Sequence, residues 1–235
     1  MSIFIPVAIL ILAMLIQAFM QLTPGIFVLF HHYALGKKST KKANNLDFYF
    51  ILGIIVFIVA AWLIIYNLIF IIFRDKPDFS SGPYPWIMTG IFFAESFLGL
   101  FFYYRKGKFT TLFISRSSAN NYLNQTKQVK TKSDAFTLGF LSNIPELLFT
   151  LPLYIISATE LMKITFFPRA LIILAYIIIS ILPILFFRTL YLLGRNLAEI
   201  EQLRIRIKPL VRIVLFAGFL LLAFATIKTG IINHG

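Results

Sequence analysis

Six stretches of this chain are apolar over roughly the 20 residues that a helix needs to cross ~30 Å of hydrocarbon, and this restricts the fold more than any other feature. Lipid offers no water to satisfy backbone amides, so each crossing must be a helix. The stretches run near Ile3–Phe30, Phe48–Phe73, Tyr84–Tyr104, Ala135–Ala158, Ala170–Phe187 and Leu210–Lys228. They predict an all-α integral membrane protein with six transmembrane helices. Only 13% of the 235 residues are charged, against about a quarter in a soluble domain, and no polar stretch is long enough to enclose its own core. A single membrane domain over 1–235 is expected. The N-terminal apolar run lacks a basic n-region and a small-x-small cleavage site, so it reads as a retained helix rather than a signal peptide.

The 22 basic residues are placed unevenly. Loop one holds Lys37, Lys38, Lys41 and Lys42. Loop three holds Arg105, Lys106, Lys108, Arg116, Lys127, Lys130 and Lys132, and loop five holds Arg188, Arg195, Arg204, Arg206, Lys208 and Arg212. Loops two and four have only Arg74, Lys76, Lys163 and Arg169. The positive-inside rule therefore puts the odd-numbered loops in the cytoplasm and both termini outside. The same clustering at the ends of apolar runs explains the net charge of +13 without nucleic acid as a partner. Without cysteine there is no disulfide, thiol chemistry or thiolate metal site.

The polar segment from about 105 to 134 divides the chain into a first repeat, about 1–104, and a second, about 135–235. Three helices is an odd number, so two similar halves would lie inverted in the membrane, as in many secondary transporters. The first span of each half carries a proline at membrane depth: Gln21-Leu-Thr-Pro24-Gly25 and Ser142-Asn143-Ile-Pro145-Glu146. Pro24 and Pro145 cannot donate to the carbonyls of Met20 and Leu141, which exposes backbone oxygens as candidate ligand or ion sites. The alternative is a packed kink.

Glu146 follows Pro145 near the middle of span four, where a carboxylate charge costs at least ~2.5 kcal/mol. With Asn143 and Ser142 it forms a polar cluster that is expected to line a transport route. Glu95 in span three lies between Gly90 and Gly99, small residues that allow another helix close. If both carboxylates share a cavity, the pair suits a proton or a cation. The alternative is a structural, hydrogen-bonded acid. Gln17 and Gln21 lie one turn apart on span one and lead to Pro24, either lining a passage or joining helices. Tyr176, Ser180 and Pro183 on span five, and Asn67 in span two, read as packing. His31 and His32 point about 100° apart with no third ligand, so they read as interfacial rather than as a metal site. No metal or cofactor is expected. No phosphate loop, nucleophile triad or HExxH motif appears, so an enzyme is not expected.

Leu22-Thr-Pro-Gly25 followed by Ala34-Leu-Gly-Lys-Lys38 resembles the TPGP and LxxG signature of the LysE/RhtB amino-acid exporters. In the second half, Ala135-Phe-Thr-Leu-Gly-Phe140 and Ile144-Pro145-Glu146-Leu-Leu-Phe149 are similar to that family's AFxxGF and NPKxxLF stretch. The resemblance implies a superfamily of six-span inverted-repeat exporters that move amino acids, metal ions or related solutes outward, with the proline motifs carried by Pro24, Gly25 and Pro145. Gly36 and Lys37 match the loop after span one. Two positions depart from the pattern: Ile26 replaces the second proline, and Glu146 stands where the family has Lys. The charge reversal shifts the expectation toward a cationic substrate or proton coupling.

The leading expectation is a secondary transporter in the cell (cytoplasmic) membrane, exporting an amino-acid-like or cationic solute with proton or cation coupling. Its pathway residues would be Glu146, Pro145, Asn143, Glu95, Pro24, Gly25, Gln21 and Gln17. Its partners are membrane lipids and a small solute or ion, with homo-oligomer formation left open. Two other readings remain: a lipid- or glycolipid-handling protein with a groove open to the bilayer, and a non-transporting scaffold whose basic third loop binds a partner or anionic headgroups.

Overall fold

A computed structural model of the chain describes residues 4–20, 22–35, 40–73, 83–101, 116–164 and 166–232. Gln21, Gly36, Lys37, Lys38, Arg74, Lys76 and Arg105 to Lys108 lie outside these residues. All regular structure among the described residues is helical. In chain order the helices are α1 (Phe4–Ala18), α2 (Leu22–Phe30), α3 (Thr40–Phe73), α4 (Tyr84–Phe101), α5 (Arg116–Gln128), α6 (Lys132–Leu141), α7 (Leu147–Met162), α8 (Phe166–Leu192) and α9 (Leu197–Ile232). A π-helical turn, His31–Leu35, extends α2, and a 3-10 turn, Ile144–Glu146, joins α6 to α7. Six segments are long and apolar enough to cross a membrane: Phe4–Tyr33, Lys42–Ile72, Tyr84–Phe101, Lys132–Met162, Pro168–Leu192 and Ala198–Lys228. The protein is a multi-pass, all-helical membrane protein.

Three of these helices extend well beyond the expected spans. α3 begins at Thr40, α8 ends at Leu192 and α9 begins at Leu197, so Lys41, Lys42, Arg188, Arg204, Arg206, Lys208 and Arg212 belong to helices, not to loops. The α9 extension is amphipathic: Ile200 is buried and Leu203 and Ile207 are half-buried, while Glu201, Ile205 and Arg206 are exposed. Charge density was a poor guide to where this helix ends. The central polar segment likewise contains α5, whose Thr126 is buried and whose Tyr122 packs inward.

Two buried clusters build the core. The larger joins Phe27 and Phe30 of α2, Phe50, Ile54 and Trp62 of α3, Tyr154 of α7, and Tyr176 and Phe187 of α8. The smaller joins Ile16 of α1, Phe92 of α4, Phe149 of α7, and Leu215 and Phe219 of α9. α1 and α7 face both clusters and sit between them. Leu63, Ile71, Leu174, Ile213 and Phe224 remain exposed on the rims, as lipid-facing side chains do.

The tightest helix crossing is between α3 and α6. A Cβ on Gly53 would strike the carbonyl of Phe136, and one on Gly139 would strike the carbonyl of Phe50. Glycine at both positions lets the two backbones touch. Gly90 and Gly99 do not serve this purpose: Gly90 faces open space, and a Cβ on Gly99 would meet Leu215 at an ordinary 3.5 Å. α6 is started by a capping box in which the Thr131 hydroxyl accepts from Asp134 N at 3.1 Å and Asp134 Oδ2 accepts from Thr131 N at 2.9 Å. Such a cap stabilises a helix start by ~1 kcal/mol and fixes where span four begins.

Candidate functional site

Neither proline kinks a continuous helix. Span one stops at Ala18, with Phe19 and Met20 amides closing back on Ile16 and Gln17 carbonyls at 3.1 and 3.0 Å. It restarts at Leu22, so Pro24 occupies the first turn of α2, where no intrahelical amide bond is lost. Pro145 likewise sits in the first turn after α6. Each break exists because its proline favours the start of a helix over its interior.

The two breaks meet. Glu146 is buried and accepts two hydrogen bonds from Thr23: from its amide N to Oε1 at 3.3 Å and from Oγ1 to Oε2 at 3.0 Å. The Thr23 hydroxyl also lies 3.2 Å from the Ser142 carbonyl. Glu146 thus caps the N-terminus of α2 from the other half of the molecule, next to orphan amides and the positive end of the helix dipole. Hydrogen bonds to a charged group are worth ~1.5–3 kcal/mol each. Two of them match the ~2.5–3.5 kcal/mol that a midplane carboxylate costs. Beside them, Gly25 leaves room for a guanidinium: its Cβ would come within 2.6 Å of Arg204 Nη2. Arg204, from α9, had no signal in the sequence beyond its place in a basic run.

The freed carbonyl at Leu141 is not an open ligand. Tyr122 of α5 donates to it at 3.0 Å, and burial raises the Tyr122 phenol above its ordinary value, which keeps it a donor. Ser142 and Asn143 also turn inward on their own helix, both donating to the Gly139 carbonyl, at 2.7 and 3.1 Å. The expected polar cluster therefore resolves into a carboxylate at the junction and two residues that finish α6.

Gln17 lies near this junction in a buried network. Its Nε2 donates to Tyr154 Oη at 3.0 Å, and Tyr176 Oη donates to its Oε1. Trp62 packs edge-on against both rings, at centroid distances of 6.0 and 5.1 Å. Tyr154 lies within electrostatic reach of Glu146. The Gln17 stripe thus continues through Tyr176, which periodicity alone marked as packing. Ser180 and Asn67 do bond only within their own helices, to Tyr176 O and Leu63 O.

Glu95 makes no hydrogen bond to Glu146. It is buried in α4, and its Oε2 has no hydrogen-bond partner among the described residues. Its helix pairs with α9, where Thr89 and Thr226 hydroxyls share a bond of 2.8 Å, Ser96 donates to Phe216 O at 2.9 Å, and Arg212 caps Leu100 O at 2.8 Å.

A charged cluster at the basic end has little signature in the sequence. Asp47 is buried in α3, 3.5 Å from Arg188 Nε and 3.7 Å from His31 Nε2. His31 stacks on Tyr191 with centroids 3.9 Å apart, and Tyr191 donates to Val28 O at 3.1 Å. His31 is therefore a packed partner of Asp47, while His32 is exposed. The only signal was an acid at the head of an apolar run. No family model, curated protein or solved structure matches the chain.

Proposed function

We propose that the protein is a secondary transporter of the cytoplasmic membrane that exports a small amino-acid-like or cationic solute with proton or cation coupling, a divergent relative of the six-span exporters its motifs resemble. The observation that carries this reading is the Thr23–Glu146 contact, in which two broken helices meet at membrane depth on a buried carboxylate. A proton or a cation on Glu146 removes the charge that pins α2. Losing two charge-assisted bonds of ~1.5–3 kcal/mol is comparable with the ~5.5 kcal/mol that moves a two-state equilibrium from one side to the other. Arg204, over Gly25, supplies a positive group beside the same break.

The inverted-repeat reading is supported by exchanged packing. α3 of the first half packs on α6 and α7, the broken span of the second, while α8 of the second half packs on α1 and α2, the broken span of the first. The clustering of Lys and Arg in the odd-numbered connections supports a cytoplasmic basic end. The test is solute accumulation in proteoliposomes under an imposed pH gradient, across a panel of amino acids, polyamines and divalent cations. Gradient-driven accumulation of one solute, lost in a folded Glu146→Gln variant, is the expected result. No flux for any solute would overturn the reading in favour of lipid handling.

A further inference from the structure

Two polar layers cross the same spans on either side of the Thr23–Glu146 junction. One is Gln17, Trp62, Tyr154 and Tyr176, from spans one, two, four and five. The other is His31, Asp47 and Arg188, with Tyr191 stacked beneath His31, from spans one, two and five. At 1.5 Å per residue, the helical rise separates the layers by about 22 Å along span two (Asp47 to Trp62) and about 18 Å along span five (Tyr176 to Arg188). Two unbroken helices give nearly the same separation, so the layers are parallel sections through the bundle. Thr23 lies between Gln17 and His31 in span one.

We infer that these layers are the two gates of an occluded state, with the solute site enclosed between them at Glu146 and Thr23. This rests on the transporter reading above. The gate at the basic end is an ionic latch: Asp47 pairs with Arg188, with His31 beside it, across three spans, and its Oδ1 is buried with no hydrogen-bond partner among the described residues. The opposite gate is a plug of three aromatic rings tied by one amide, and there Trp62 Nε1 is buried with no hydrogen-bond partner among the described residues. Both layers tie span one to spans two and five, so opening either moves half of the broken span: α2 and its π-turn at the basic end, α1 at the other. α1 and α2 are separate helices, ending at Ala18 and starting at Leu22, so one can move while the other stays packed.

The chain has no cysteine, so a single reporter can be read without background. Thr150 is buried one turn from Glu146 and one turn from Tyr154, on the face between the layers. In Thr150→Cys protein, labelling by a membrane-impermeant thiol reagent should be slow from both sides of the vesicle. Asp47→Asn should raise the rate on the order of tenfold or more from the basic-end side only, and Arg188→Gln should repeat this through the other partner of the latch. Tyr176→Phe should raise it from the opposite side only. A gain from both sides in each variant, or no gain in any, overturns the gates. Sided gains without solute flux keep the gates and remove the transporter reading. Flux with unsided labelling does the reverse.

Discussion

The molecule contains two kinds of helix pairing. Spans three and six, α4 and α9, run side by side without interruption and are joined by short bonds: Thr89 to Thr226, Ser96 to Phe216 O, and Arg212 to Leu100 O, with Phe92 stacked on Phe219. Spans one and four are each broken, and they meet end to side through a threonine and a glutamate. Each pairing holds one intramembrane carboxylate. Glu95 stands in the continuous pair with an oxygen unpartnered, whereas Glu146 stands at the break with both oxygens engaged. A carboxylate that holds two half-helices together couples its own charge to their separation. One enclosed between two unbroken helices has no such lever.

The largest expected difference is in transport. Glu146→Gln should reduce gradient-driven flux by about 100-fold, the equivalent of ~3 kcal/mol in charged hydrogen bonding, while Glu95→Gln should stay within roughly threefold of wild type. Equal losses would erase the distinction between the two pairings. The next contrast is in stability. Gly139→Ala forces a Cβ onto the Phe50 carbonyl and should lower unfolding free energy by about 3 kcal/mol. Gly90→Ala, facing open space in α4, should be neutral or stabilising by ~0.5–1 kcal/mol. Thermal melts in detergent would read both.

Smaller effects sharpen the account of how the break is held. Tyr122→Phe leaves the Leu141 carbonyl without its donor and should cost ~1–2 kcal/mol in the same melts. Burial raises the Tyr122 phenol, so this contribution is fully present below its ordinary value of 10.0 and is lost only as pH rises beyond it. The difference between wild type and Tyr122→Phe should therefore not vary between pH 6 and 9. The smallest effect is at the surface: Arg195→Gln breaks the exposed pair with Glu199 and should leave the melt unchanged, because solvent screens such a pair.

Much of this was legible in the residues themselves. Span number followed from apolar length, and Pro24 and Pro145 marked the breaks because a ring nitrogen cannot donate. Glu146 stood out because a carboxylate beside a helix break at membrane depth is costly without a partner. That partner was not legible. Thr23 reaches Glu146 across 123 positions, and nothing local announces such a contact. The same holds for Asp47 with Arg188 and for Gln17 with Tyr176, where neither residue of a pair points to the other in the sequence. Charge is a poor marker of a helix end here, since in α9 an amphipathic face of Ile200, Leu203 and Ile207 carries the helix through a basic run.

The most direct measurement is the flux of two variants at Thr23 that differ in one group. Thr23→Ser keeps the hydroxyl that bonds Glu146 and the Ser142 carbonyl, whereas Thr23→Val keeps the shape and loses it. The junction predicts that Thr23→Ser transports within about twofold of wild type and that Thr23→Val falls by about tenfold, the loss expected for one hydrogen bond to a charged group. Equal flux in the two variants would contradict it.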